Sequence, residues 1–319
     1  LIHWKGLRIP LVYNFIVNPN AGSGRGMKLW KAMARYMDNH NIEYEAFLTE
    51  GIGDARLIAR RLTDGVREPR YIIAVGGDGT MNEVLDGVSF HAPLSLGYIP
   101  AGTGNDLARS LHMPRRVFKC LKKQLTPRHF TMIDYGVLSY GDREVSHRRF
   151  LVSAGIGYDA SVCQDVLTSG CSRRLSCMGL GRLSYIIFGI RQFFRCKSSK
   201  GYIILDGVKK VEFNNILFIS CHIQPSEGGG FLFAPGADGS DGKMNICVVS
   251  HAAKARMIPV LLSALTRRKG KQKGVRSFEC REIAIHTEAA LPVHADGECC
   301  GLQTDIQAGC IARKVRMMV

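Results

Sequence analysis

An α/β domain followed by a β-rich domain is the architecture that this 319-residue sequence predicts. Two patterns point to it. Between residue 11 and about residue 125 a strand, a glycine-rich turn and a helix recur three times, which implies a parallel sheet with covering helices. From about residue 130 the texture changes to short β-like runs, as in an antiparallel sheet or sandwich. The length suffices for two cores at about 150 residues each.

The elements follow in order. Leu11–Asn18 is an apolar run, Ala21–Gly26 a small-residue loop, and Met27–Asn39 a helix with Met27, Trp30, Met33 and Met37 on one stripe. Tyr71–Val75 leads through Gly76-Gly77-Asp78-Gly79-Thr80 into a helical stretch, Met81–Val88. Leu94–Ile99 leads through Pro100-Ala101-Gly102-Thr103-Gly104 into Asn105–Leu111. Each glycine loop follows a strand, so all three are expected at the carboxyl edge of one sheet, where open α/β sheets bind ligands. The later β-like runs are Thr131–Leu138, Arg149–Ala154, Gly201–Leu205, Val208–Phe213, Ile216–His222, Met244–Ser250, Arg281–Thr287 and Leu291–His294. Helices are expected near Tyr158–Thr168, Leu183–Phe194 and Ala252–Thr266. The domain boundary falls near residue 130.

Composition excludes several classes. With 46% hydrophobic and 22% charged residues the chain can collapse. No window reaches the roughly 18 uninterrupted apolar residues that a membrane span requires. The 11 cysteines are scattered singly apart from Cys299-Cys300, with no CxxC spacing, which favours reduced thiols over a zinc site or disulfide framework. Leu1-Ile2-His3-Trp4-Lys5 lacks a signal-peptide layout, and the absent initiator Met points to a trimmed chain; a cytosolic location is the expectation. The net charge of +16 suits nucleic acid, an anionic membrane surface or a phosphorylated ligand, and composition alone does not choose.

The glycine loops carry the chemistry. In Asn18-Pro19-Asn20-Ala21-Gly22-Ser23-Gly24-Arg25-Gly26, glycines allow close backbone approach and the following helix offers N–H groups to a phosphate. The loop is neither a P-loop nor a dinucleotide fingerprint, and a plain turn remains open. In Gly76-Gly77-Asp78-Gly79-Thr80-Met81-Asn82-Glu83-Val84 three glycines surround one carboxylate, which repels phosphate unless a divalent cation or a proton intervenes. The alternative is a turn-forming Asp78 with Thr80 capping the helix. Gly102-Thr103-Gly104-Asn105-Asp106 repeats the theme, with Asp106 also readable as an ordinary first-turn acid.

This set of three ordered motifs resembles the diacylglycerol kinase catalytic-domain family, which includes bacterial lipid kinases and sphingosine kinases. Gly155-Ile156-Gly157-Tyr158-Asp159-Ala160, the stretch Leu183-Ser184-Tyr185 through Phe194, Gly228-Gly229-Gly230, Ala234-Pro235-Gly236-Ala237-Asp238-Gly239-Ser240-Asp241-Gly242 and Asp296-Gly297-Glu298 extend the likeness over nearly the whole chain. The resemblance implies a three-layer, NAD-kinase- and phosphofructokinase-like α/β domain (1–130), a β-rich sandwich-like lipid-substrate domain (131–305), a cleft between them, and a return of about residues 306–319 to the first domain. It implies an ATP- and Mg²⁺-dependent transfer of the γ-phosphoryl group to a lipid hydroxyl, diacylglycerol foremost. An NAD kinase-like enzyme and an inactive lipid-binding member of the fold are the alternatives.

Residue by residue, the resemblance assigns Asn18, Pro19, Asn20, Ala21, Gly22, Thr49, Gly77, Asp78, Gly79, Thr80, Met81, Asn82, Glu83 and Thr103 to the ATP site. It makes Glu298 the general base and Asp78 the acid that organises magnesium and phosphates; a β-turn acid is the bland reading of Glu298. Asp241, with backbone groups of Asp238 and Lys243, matches a second-domain magnesium site. There Ser240 stands where an acid is usual, and Asn245 where an Asp is frequent.

Basic residues cluster at Arg115-Arg116, Lys119 and Lys122-Lys123, from Arg173-Arg174 through Arg182, Arg191 and Arg195 to Lys197, and from Arg267-Arg268-Lys269 through Lys271 and Lys273 to Arg276. The middle cluster interleaves with Leu183, Ile186, Ile187, Ile190, Phe193 and Phe194, which suits peripheral binding to anionic lipid at the inner membrane face. A core-packing helix with snorkelling arginines is the alternative. No nucleic-acid signature accompanies the charge. The expected partners are a lipid alcohol and an anionic membrane surface, with a homodimer left open.

Overall fold

A computed structural model describes residues 3, 4, 7, 8, 12–91, 93–127, 129–141, 144–169, 181–251, 255, 257–266 and 273–319. Leu11, Arg173, Arg174, the side chain of Arg182, the expected helix start at Ala252, and the basic tract from Arg267 to Lys271 lie outside the described residues. The chain divides into two compact units: Leu1–Met132 with Val315–Val319, and Ile133–Lys314.

The first unit starts with a small antiparallel pair, β1 (His3–Trp4) and β2 (Leu7–Arg8). Its core is a parallel sheet of β3 (Tyr13–Val17), β4 (Tyr44–Leu48), β5 (Arg70–Gly76) and β6 (Leu94–Pro100), paired β4 to β3, β3 to β5 and β5 to β6. Strands covered on both faces read as unbroken apolar runs; all five residues of β3 are buried. Helices α1 (Ala21–Asn39), α2 (Asp54–Thr63), α3 (Asp78–Gly87), α4 (Asp106–Ser110) and α5 (Val117–Leu125) complete the unit. The expected stripe of α1 does bury Trp30, Met33 and Met37, and Phe15, Trp30 and Tyr44 form a ring cluster with centroids 5.2–6.0 Å apart.

The second unit is antiparallel. Strands β7 (Phe130–Tyr140) and β8 (Ser146–Phe150) pair with each other, and β9 (Ser153–Gly157) pairs with β11 and β14. The main order is β13 (Val275–Cys280), β12 (Met244–Ser250), β11 (Lys209–His222), β10 (Ser199–Leu205), β14 (Glu282–Ala295) and β15 (Glu298–Met318). One core holds Phe150, Ile156, Ile203, Ile219 and Val293; another packs Phe218 and Val249 against α6 (Tyr158–Thr168), α7 (Gly181–Arg195) and α8 (Met257–Thr266). The last residues of β15 return to the first unit, where Met317 pairs in parallel with Leu96 and the buried Gln124 amide donates to the Met318 carbonyl at 2.9 Å. Ile306 and Ala308 stay in the core of the second unit.

Helix α7 is apolar on two faces. Phe188 is buried, with Tyr185 and Phe193 packed beside it. Leu183, Ile187, Ile190 and Phe194 form a second stripe that is solvent-exposed, Ile190 at 59% and Phe194 at 75%. Arg191, Arg195 and Lys197 are exposed alongside.

Candidate active site

The three glycine loops meet at the carboxyl edge of the parallel sheet. After β3, Gly22, Ser23 and Gly24 take left-handed conformations (φ 57°, 62° and 89°), and regular helix resumes beyond them. At Gly22 the backbone passes so close to the Ala101 carbonyl that a Cβ would collide with it. A Cβ on Gly102 would lie 2.5 Å from the Gly77 Cα. Only glycine permits either approach. Hydrogen bonds fasten the same contacts: the Asn18 amide donates to Thr80 Oγ1 at 3.1 Å, and the Ala101 N–H to the Gly76 carbonyl at 2.7 Å. Such turns beside helix N-termini are suited to phosphate oxygens.

Asp78 ties the second loop to the third. Its Oδ2 accepts the Asp106 N–H at 2.9 Å and its Oδ1 the Leu107 N–H at 3.3 Å, at the start of α4. The Tyr98 hydroxyl lies 3.4 Å from Asp78 Oδ1 and 3.2 Å from Asn105 Oδ1. Burial, and then the Asp78 carboxylate, push the Tyr98 phenol well above its ordinary pKa, so it stays a donor. Asp106 also pairs with Arg109.

The other residues expected at the nucleotide site separate by burial. Thr49 is buried and follows β4, its N–H donating to Val17 at 2.9 Å. Met81 and Asn82 are fully buried, Met81 as part of the hydrophobic core. Glu83 accepts the Ala55 N–H at 3.1 Å and so caps α2. Thr103 is exposed on the third loop.

In the second unit Glu298 opens β15 directly after a two-residue hairpin turn. Asp296 and Gly297 have φ of 46° and 88°, and Ala295 pairs with Glu298. Positive φ at both central residues is the type I′ geometry that Asp-Gly favours. The Asp296 carboxylate accepts the N–H groups of Leu151, Val152 and Ser153 at 2.7–3.0 Å, anchoring the turn to the β8–β9 connection. Glu298 is ion-paired with Arg148 of β8, both side chains about three-quarters or more shielded (19% and 24% exposed).

The 238–243 turn is organised by a residue that the sequence reading did not single out. Asp134, fully buried, accepts the N–H groups of Gly242 at 2.7 Å and Arg313 at 2.6 Å, and its own N–H donates to Gly239. Asp238 Oδ1 accepts from the Ser240 N–H and hydroxyl, and Asp241 Oδ1 from the Lys243 N–H. These exposed oxygens suit a hard cation, with Asp241 as carboxylate and the Asp238 and Lys243 backbones beside it.

A third cluster is buried behind the Asp296-Gly297 turn. Ligand atoms of Asp159, Glu227 and His294 lie within 4.8 Å of one another. His294 Nε2 is 3.3 Å from Asp159 Oδ2, its Nδ1 accepts the Gly297 N–H at 3.2 Å, and the Ser153 hydroxyl donates to Glu227. Burial raises Glu227 to about 7 and lowers His222, 3.9 Å from it, to about 4. Burial opposes protonation of His294, but its hydrogen bond to Asp159 and the surrounding carboxylates bring it above the ordinary histidine value.

The comparisons with known proteins agree over both units. The diacylglycerol kinase catalytic domain family matches residues 13–138, and the YegS C-terminal NAD kinase beta sandwich-like domain family residues 152–318. The chain is 28% identical over 291 residues to a diacylglycerol kinase of Bacillus subtilis (strain 168), covering 90% of this chain and 89% of that protein. It is 27% identical over 295 residues, 90% and 93% of the two chains, to YtlR of the same organism, named provisionally as a lipid kinase. A solved Bacillus anthracis str. Sterne structure, described provisionally as a diacylglycerol kinase, superimposes with a TM-score of 0.74 at 20% identity over 99% of this chain and 98% of that one; this likeness carries the fold.

Proposed function

Since the chain belongs to the diacylglycerol kinase catalytic-domain family, whose members are lipid kinases, we propose that it transfers the γ-phosphoryl group of ATP, with Mg²⁺, to the hydroxyl of diacylglycerol. The observation that carries this reading is the meeting of three glycine loops at one sheet edge, at Gly22 with Ala101 and Gly77 with Gly102.

The first unit's loops would receive the triphosphate on backbone N–H groups, with Asn18, Gly77, Thr80 and Thr103 among the residues that would hold it, while Asp78 keeps the second and third loops in register. Bound Mg²⁺ would supply charge neutralisation for the transferring group. In the second unit Glu298 would take the proton of the acceptor hydroxyl, a role that needs a carboxylate held ionised. Arg148 of β8 pairs with it. Asp241, with the Asp238 and Lys243 backbones, would hold a second Mg²⁺.

The test is mass spectrometry of products from a mixed lipid extract incubated with γ-labelled ATP and Mg²⁺, with NAD as a competing acceptor. Label in phosphatidic acid is the expected result. Label only in the phosphorylated dinucleotide, or in no product, overturns the reading.

We further propose that the protein reaches its substrate by docking the exposed α7 stripe on an anionic membrane surface. Ile190 and Phe194 would enter the lipid boundary, and Arg191, Arg195 and Lys197 would face acidic headgroups. The pair of substitutions Ile190→Ser and Phe194→Ser is expected to weaken vesicle binding by about tenfold or more, since each side chain gains about 1.5–3 kcal/mol on burial. Co-sedimentation with anionic vesicles checks this, and wild-type binding should fall steeply with salt. Equal binding by the double variant, or indifference to salt, counts against the surface.

A further inference from the structure

The Asp159–His294 pair has no part in the transfer as described, yet it touches the turn from which Glu298 projects. His294 lies on β14, Asp159 in the first turn of α6, and both are buried. The approach of the two side chains depends on Gly155, where a Cβ would run into the Asp159 carboxylate and lie 2.9 Å from His294 Nε2.

The hydrogen bonds fix the proton on the ring. The Gly297 N–H points at Nδ1, a bond that only the neutral ring can accept, so this geometry belongs to the neutral form although the surrounding carboxylates favour protonation. The proton of the neutral ring then sits on Nε2, facing Asp159 Oδ2. A metal ion on Nε2 would need the opposite tautomer, so the three-residue cluster of Asp159, Glu227 and His294 reads as a hydrogen-bonded unit and not as a metal centre.

We propose that His294 is a positioning residue for Glu298: Asp159 holds it in the Nε2–H tautomer, and its Nδ1 then pins the Gly297 N–H and with it the direction in which Glu298 leaves the turn. The turn is clamped from both sides. Asp296 is held by the N–H groups of residues 151–153, and its own N–H donates to the Ser153 carbonyl at 2.8 Å. His294 supplies the remaining fixed point, at Gly297. The proposal rests on the reading of Glu298 as the proton acceptor.

The substitutions His294→Asn and His294→Gln separate the two ring nitrogens. An asparagine carbonyl reaches the place of Nδ1, whereas a glutamine amide reaches that of Nε2 and leaves the Gly297 N–H without its acceptor. Losing the fixed point that aims a reacting carboxylate costs up to about 100-fold in rate. H294Q is expected to lose about that much in kcat with KM for ATP within about twofold, and H294N to keep kcat within about threefold of the wild type. Equal kcat in the two variants, or an effect on KM alone, overturns the proposal. In the wild type, ¹⁵N-histidine spectra at a pH where the ring is neutral should show the Nε2–H tautomer for His294; the Nδ1–H form overturns it whether or not the variants fold. An E298Q variant with full activity would instead refute the proton-acceptor reading itself. If E298Q is inactive while H294Q is fully active, that reading stands and the positioning role fails.

Discussion

Glu298→Gln is expected to lower kcat by a factor of about 10² to 10⁴, the usual worth of a positioned general base. The amide fills the same space at the end of the type I′ turn, so the hairpin, its Asp296 anchor and the melting temperature should hardly change. It cannot accept a proton from the acceptor hydroxyl. Arg148 would lose its charge partner, but the glutamine carbonyl oxygen can still accept a hydrogen bond from its guanidinium. The measurement is steady-state kinetics against ATP and diacylglycerol beside a thermal melt. A variant with wild-type kcat would remove Glu298 from the reaction.

Asp78→Asn carries the second large effect. The wild-type carboxylate meets two backbone N–H groups and a phenolic hydroxyl, all donors. An amide must turn its NH₂ toward one of them, which leaves a part-buried donor without an acceptor at a cost of about 1–3 kcal/mol. The third loop would slip relative to the second, and a displacement near 1 Å at the phosphates can cost about 10²-fold in rate. We expect D78N to raise KM for ATP, to lower kcat by about two powers of ten or more, and to speed amide exchange in residues 106–110. Unchanged exchange there would separate Asp78 from the third loop.

The legible part of the fold is the part in which local chemistry suffices. Buried parallel strands have to be apolar on both faces, so Tyr71–Val75 and Leu94–Ile99 stand out, and glycine marks each tight turn after them. Strand β4 and helices α2 and α5 did not stand out; β4 buries no residue completely and reads as mixed polarity. Asn214-Asn215 looks like a break between two strands, but the backbone runs through as β11, with a register shift between Ile216 and Phe218 that turns Leu217 and Phe218 toward the helices. Likewise 281–287 and 291–294 are one strand, β14, irregular between His286 and Leu291. The expected run 149–154 is instead interrupted, because the N–H groups of Leu151 and Val152 leave the ladder for Asp296. Helix α7 packs one face in the core and leaves a second apolar face in solvent.

Glycine spacing could point to the loops, but not to what fastens them. The Asp78 contact with α4 spans 28 residues, and Asp134 reaches Arg313 across 179. No periodicity links such positions. Asp134 did leave one trace, as a lone acid within the apolar run Met132-Ile133-Asp134-Tyr135. The pairing of Arg148 with Glu298 and of Asp159 with His294 left none, because an ion pair or tautomer is decided by which elements lie side by side.

Strand β15 has a consequence for the order of assembly. Residues 315–319 finish a parallel sheet whose other strands, β3 to β6, all come from the first hundred residues. During synthesis the first unit therefore waits for the whole of the β-rich unit to be made before Met317 can pair with Leu96 and Gln124 can find the Met318 carbonyl. Contacts of such sequence separation form slowly, and until they form β6 presents an open edge. The chain cannot complete the unit that carries the three glycine loops before the unit that carries Glu298 exists.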